Sequence, residues 1–258
     1  MKNISILDLQ EKKEKSEKIT MLTAYDATFA KIVDQAGVDM ILVGDSLGMV
    51  IQGEPNTLSV SLDDMAYHTR AVARGAKRAH IVADMPFMTY QHDIKEAMLN
   101  ASKLLKTGAH SVKLEGGRNI VSTVKALTES GIPVTGHLGL TPQSVHALSG
   151  FRKQGRTEDA AKRISEDALM LEKAGAYAIV LECVPDELAK QITKTLMIPT
   201  IGIGAGPQCD GQVLVLYDLL GLNPEFKPSF VKQYLNGAAL IQQACEAYVT
   251  EVKQRDFP

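Results

Sequence analysis

Tryptophan is absent from the 258-residue sequence, aromatic residues make up 5%, and there are three cysteines. So few flat rings argue against a base-stacking nucleic-acid surface. Cys183, Cys209 and Cys245 are odd in number and widely spaced, which fits neither a disulfide framework nor a zinc pattern. Neither sign of charge is in excess: 28 Lys and Arg face 30 Asp and Glu, for a net charge of −2. A general nucleic-acid partner is not expected, although a local basic site for an acidic ligand remains open. The longest uncharged stretch, 130–151, is broken by Gly131, Pro133, Gly136, His137, Gly139, Pro142 and Gly150, so no membrane span is expected. The opening MKNISILDLQEKKEKSEK has no apolar core, so the expected protein carries no secretory leader there and is cytoplasmic. What is present is a 45% hydrophobic chain, long enough to bury a full core and of a length that suits one large α/β domain.

Eight short apolar runs read as buried parallel strands: 18–22, 40–43, 80–83, 111–114, 133–135, 178–181, 200–203 and 213–216. Helical periodicity lies between them. Ala27–Gln35, Ile94–Leu105 and Ala160–Leu171 each put apolar residues on one face, and 230–252 reads as a final long helix. Gly37, Gly108, Gly131 and Gly175 stand where a helix must end before the next strand, where glycine permits a left-handed cap. Successive strand ends lie about 28 residues apart, close to one βα unit. Eight such units favour a single (β/α)8 barrel over 1–258 with a short N-terminal helical extension; an open doubly wound sheet is the alternative. The methionines fall mostly in apolar runs and read as core.

Polar residues gather at the predicted strand ends. Asp45 and Ser46 follow the second strand, Asp84 the third, Glu115 the fourth, His137 the fifth and Glu182 the sixth. In a barrel those ends form one mouth, the usual seat of chemistry. Several carboxylates in one mouth need compensation. Asp45, Asp84 and Glu115, an all-oxygen set on three successive strands, suit Mg²⁺; the alternative is that each acid caps the following helix. Lys113 lies two residues before Glu115 and points the same way, into the barrel. It binds either the carboxylate of an anionic substrate or a neighbouring acid. Glu182, beside Leu181 and Val184, reads as a general base or an outer metal ligand. His137 is a site histidine or a satisfied structural one, and the Gly204-Ala205-Gly206 turn allows close approach of a ligand or simply a tight turn. A cation with open positions would chelate a 2-oxo acid and favour its enolate, while a carboxylate takes the proton from the adjacent carbon. This defines an aldol-type reaction class without naming the electrophile.

At these residues the chain resembles the ketopantoate hydroxymethyltransferase family. The motifs are MLTAYDATFA at 21–30, LVGDSLGMVIQG at 42–53, ADMPFMTYQ at 83–91, VKLEGG at 112–117, GHLGLTPQSV at 136–145, VLECVP at 180–185 and IGIGAGPQCDGQVLV at 201–215. The resemblance implies a (β/α)8 barrel, one Mg²⁺ per subunit and a decamer of two stacked rings. It implies transfer of a hydroxymethyl group from 5,10-methylenetetrahydrofolate to 3-methyl-2-oxobutanoate, forming 2-dehydropantoate on the route to pantothenate and coenzyme A. It makes Asp45, Asp84 and Glu115 the metal site, with Asp45 and Asp84 also touching substrate. Ser46 and Lys113 then bind the oxo acid, Glu182 accepts the proton, and His137 belongs to the substrate site. Lys153 departs from the family, which commonly has an apolar residue there. The anionic folate tail calls for basic residues on the rim, for which Arg152, Lys153 and Arg156 are candidates. Two other readings compete. One is a 2-oxo acid lyase of the phosphoenolpyruvate mutase and isocitrate lyase group, whose Lys-Lys-Cys-Gly-His loop is missing here. The other is a non-enzymatic barrel, against which the full set of site acids argues.

Overall fold

The computed structural model describes residues 3–224 and 228–257. Eight parallel strands close into a barrel in sequence order: β1 Ile19–Thr23, β2 Met40–Val43, β3 His80–Asp84, β4 Ser111–Glu115, β5 Val134–Gly139, β6 Ala178–Glu182, β7 Thr200–Ile203 and β8 Gly211–Leu214. All eight expected strands exist, so the barrel replaces the open sheet. Two shift. β5 begins one residue later than expected and continues to Gly139, because its outer residues still pair with β6. β8 sits two residues earlier than expected, since Gly211 and Gln212 pair with Ile201 and Gly202.

The chain packs as two compact units, Met1–Val213 and Leu214–Pro258. In the first, the helix Ile6–Glu14 begins with a reciprocal capping box between Ser5 and Asp8. Its Leu9 is fully buried in the cluster of Ile19, Met21, Met40, Leu42, Val82, Val180, Ile201 and Val213, so the N-terminal extension is part of the barrel core. Asp26, Asp93 and Thr157 cap the helices Ala27–Gln35, Ile94–Lys106 and Glu158–Lys173 with side-chain oxygens. Gly37, Gly108, Gly131 and Gly175 all have positive φ, from 80° to 114°, at the helix ends where left-handed caps were expected. In the second unit the long helix is Gly237–Gln254. It starts seven residues later than expected, because the apolar residues near 230 lie in turns. The expected apolar faces need trimming: Ala30 and Val33 are buried, but Ile32 is exposed. The methionines are likewise mixed. Met21, Met40, Met65 and Met85 are core, whereas Met88, Met170 and Met197 are exposed. Among the described residues no helix is long and apolar enough to cross a membrane.

Candidate active site

Parallel register assembles the site. It sets Asp84 beside Lys113, Glu115 beside His137 and Gly139 beside Glu182. Asp45 follows β2, and its backbone N–H donates to Asp84 Oδ2 at 3.0 Å. Asp45, Asp84, Lys113, Glu115 and His137 are only 2–5% exposed. The Lys113 ammonium lies 3.0 Å from Asp84 Oδ1 and 3.7 Å from Glu115 Oε1. His137 bridges outward, with Nδ1 at 3.3 Å from Glu115 Oε1 and Nε2 at 3.2 Å from Glu182 Oε2. Glu182 is the more open end of this chain. Ser46 Oγ pairs with Tyr25 OH at 2.8 Å at the edge of the site. A Cβ at Gly44 would come within 2.8 Å of Ser46 Oγ and 3.5 Å of Asp84 Oδ2, so glycine there lets β2 run into the acids without crowding them.

None of the four acids caps a helix: the helix after β2 has Ser46 at its cap, and those after β3, β4 and β6 begin at Asp93, Ile120 and Pro185. Their carboxylates instead hold one another's surroundings. Burial, then the charges of Asp84 and Glu115, push the Asp45 carboxyl well above its usual range. Burial also raises Asp84, against the pull of Lys113. At Glu115 burial is outweighed by His137, Lys113 and the Gln143 N–H, which hold it below the ordinary range. Burial and Lys113 lower His137, but Glu115 and Glu182 overcome both and raise it to about 9. The nearby acids likewise keep the buried Lys113 charged, above the ordinary lysine range.

Two residues that the sequence reading missed organise the acids. Gln143 Nε2 donates to Asp45 Oδ2 at 2.8 Å and to the Met85 carbonyl at 2.9 Å, and its backbone N–H donates to Glu115 Oε2 at 3.0 Å. Tyr90, fully buried, donates its hydroxyl to Gln143 Oε1 at 2.8 Å and accepts from the Glu115 N–H at 2.9 Å. A neutral glutamine in the short turn Pro142–Ser144 has no charge pattern to expose it. Tyr90 had a faint signal, as one of seven tyrosines in an aromatic-poor chain, directly after a strand-end segment.

Among the described residues, no group of three or more His, Cys, Asp or Glu is drawn up as a finished metal cage. The chemistry of the donor set nevertheless fits a hard cation. The donors are carboxylate oxygens, and Asp84 Oδ1 and Glu115 Oε1 are buried without an aligned hydrogen bond. Backbone strain gathers at the same mouth. Met88, Ser149 and Cys183, which follow β3, β5 and β6, have φ of 63°, 57° and 46°.

Residues 3–258 match the family model for ketopantoate hydroxymethyltransferase. A 3-methyl-2-oxobutanoate hydroxymethyltransferase of Clostridium botulinum is 56% identical over all of this chain and 94% of its own length. One from Syntrophus aciditrophicus is 58% identical, covering 95% of this chain and 91% of its own. Among solved structures, a phosphonopyruvate hydrolase complexed with oxalate and Mg²⁺ superposes with a TM-score of 0.63 at 13% identity, covering 98% of this chain and 99% of that one, which shows the shared fold alone. With the whole described barrel inside the matched range, the chain belongs to the ketopantoate hydroxymethyltransferase family of hydroxymethyl-transferring enzymes.

Proposed function

We propose that this chain transfers a hydroxymethyl group from 5,10-methylenetetrahydrofolate to 3-methyl-2-oxobutanoate, forming 2-dehydropantoate in the first step of pantothenate biosynthesis. The observation that carries the mechanism is the line from the buried acids through His137 to Glu182. Asp45, Asp84 and Glu115 would hold one Mg²⁺, whose chemistry when bound is to polarise the keto oxygen of the oxo acid. Lys113 supplies a fixed positive charge for the substrate carboxylate, and Ser46 a hydroxyl at the edge of the same space. Glu182 takes the proton from C3 of the oxo acid. His137, protonated between Glu115 and Glu182, holds the Glu182 carboxylate in place. Water adds to the methylene carbon of the co-substrate, both of its C–N bonds break, and tetrahydrofolate leaves with the two water protons on its nitrogens. C3 adds to the resulting one-carbon aldehyde, whose oxygen takes up the proton held by Glu182 and becomes the new hydroxyl.

The test omits the pteridine. Deuterium exchange at C3 of 3-methyl-2-oxobutanoate, followed by proton NMR, should require Mg²⁺ and stop with EDTA. Glu182→Gln should slow it by about 10²–10⁴-fold, as for loss of a general base. Exchange at the wild-type rate in that variant would remove Glu182 from the role. A homo-oligomer, a decamer in the family pattern, belongs to the same proposal. It is supported by the exposed Leu240, Ile241, Tyr248 and Val252 along the helix Gly237–Gln254. So does a cytoplasmic location, with small molecules rather than nucleic acid or membrane as partners.

A further inference from the structure

Tyr25 follows the end of β1 as Asp45 and Ser46 follow the end of β2, and no role has fallen to it so far. The chain around it is fixed on every side. The Ala24 N–H donates to the Leu42 carbonyl at 3.0 Å, and Asp26 caps the helix Ala27–Gln35 by accepting from the Thr28 and Phe29 N–H groups. His68, on the helix Leu62–Gly75, bonds the Tyr25 carbonyl through Nδ1 at 2.6 Å. Tyr25 is 1% exposed, and its hydroxyl lies 2.8 Å from Ser46 Oγ. The phenol is thus set in place behind Ser46 by contacts that involve no ligand.

Serine at a helix start ordinarily turns its oxygen onto a backbone N–H of the first turn. Ser46 stands at the cap of the short helix Leu47–Val50 with φ of −53° and ψ of −17°, already helical, and makes no such bond. Its oxygen turns back over Gly44 instead, into space that a Cβ there would contest at 2.8 Å, on the side of Asp84. Ser46 is half-buried where Tyr25 is closed off, so the phenol acts on a ligand through the serine. Chemistry sets the direction of the bond between them. Each hydroxyl has one proton to donate and lone pairs to accept with. The phenol is the stronger acid and the better donor. With Tyr25 donating, the Ser46 proton is left for an anionic oxygen, and a chain of hydroxyls polarised in one direction strengthens its outer donor. With the direction reversed, Ser46 would present lone pairs to a carboxylate and repel it.

We propose that Tyr25 is a positioning residue: its hydroxyl donates to Ser46 Oγ and fixes the Ser46 proton toward the carboxylate of the oxo acid. This rests on the reading of Ser46 given under Proposed function. The test measures KM and the maximal rate of Mg²⁺-dependent exchange at C3, without pteridine, in wild type, Tyr25→Phe, Ser46→Ala and the double variant. Tyr25→Phe removes one oxygen and keeps the ring, and melting curves check that every variant is folded. It should raise KM by about 3- to 10-fold, the worth of one neutral hydrogen bond, with a smaller change in maximal rate. Ser46→Ala removes a bond to a charged group and should raise KM by about 10- to 100-fold. Adding Tyr25→Phe to Ser46→Ala should change KM by less than about 2-fold, because no hydroxyl remains to be oriented. An unchanged KM in Tyr25→Phe overturns the positioning role. So does the same rise in both backgrounds, which would mark Tyr25 as packing alone. A wild-type KM in Ser46→Ala overturns the reading of Ser46 and the role of Tyr25 with it. No exchange in wild type with Mg²⁺ overturns the enolisation reading itself, a failure distinct from the other three.

Discussion

Gln143→Leu tests whether the acids are organised by this neutral side chain. Leucine is close to glutamine in size, so the change removes hydrogen bonds with little change of volume. It strands two buried acceptors, Asp45 Oδ2 and the Met85 carbonyl. The hydroxyl of Tyr90 keeps an alternative acceptor in the Glu115 carbonyl, 3.0 Å away, and adds little to the loss. An unsatisfied buried acceptor costs about 1–3 kcal/mol. Asp45 can escape part of its cost by holding a proton, since its carboxyl is already pushed upward. The total is therefore about 3 kcal/mol, a fall in melting temperature of about 6–12 °C for a chain of this size. The same loss favours protonated Asp45, so the oxo acid should bind more weakly and C3 exchange should slow. Thermal unfolding and the exchange assay, run on the same preparation, read the two effects. A variant melting within about 2 °C of wild type and exchanging at the wild-type rate would refute the claim that Gln143 sets the charge state of the site.

Other expectations follow from groups further from the acids. His80 bonds Ser111 Oγ at 2.9 Å, faces the rings of His110 and Tyr177, and is lowered by burial and by His110 to about 4. Its folded pKa lies below the ordinary value of about 6.5, so its stabilisation is present above that pH and is lost as pH falls toward 4. The loss is about 3 kcal/mol, and urea unfolding should show it as a slope between pH 6.5 and 4 that His80→Gln flattens. Gly139→Ala places a Cβ against the Glu182 carbonyl at a backbone φ of 95°. It should cost about 3 kcal/mol or more, and the folded fraction should turn over slowly, as separate unfolding and exchange measurements would show. Cys183→Val puts a β-branched residue at φ 46° and should destabilise by about 1–2 kcal/mol in denaturant titrations.

Much of the barrel was legible because its signals are local. Buried parallel strands are short apolar runs, and the glycines at 37, 108, 131 and 175 mark chain reversals that demand positive φ. Site acids at strand ends were legible for the same reason, since barrel topology converts a position in sequence into a position at the mouth. What stayed hidden depends on registry between distant segments. Nothing local in Pro142–Ser144 says that Gln143 will reach Asp45 across 98 positions, or that Tyr90 will sit under the Glu115 backbone. The late start of Gly237–Gln254 has a related cause. The apolar residues near 230 look helical in composition, yet hydrogen bonds such as Tyr234 N–H to the Leu219 carbonyl fold them into turns.

The charge arrangement explains why so many acids tolerate burial together. Asp45, Asp84 and Glu115 face one ammonium, Lys113, and one imidazole raised far enough to be cationic at neutral pH. With Glu182 on the other side of His137, negative charge remains in excess. Among the described residues no further cation is paired with these acids, and Asp45, the one without a direct cationic contact, has its carboxyl pushed well toward holding a proton. A barrel built only for stability would replace such a cluster with apolar side chains, because buried ion pairs seldom outweigh their desolvation. Keeping it, and keeping strained backbone at Met88, Ser149 and Cys183, costs folding energy that apolar burial such as the cluster around Leu9 offsets. The excess negative charge suits a hard cation. On the function proposed above, that cation would let an anionic, chelating substrate sit among the acids while Glu182 takes its C3 proton.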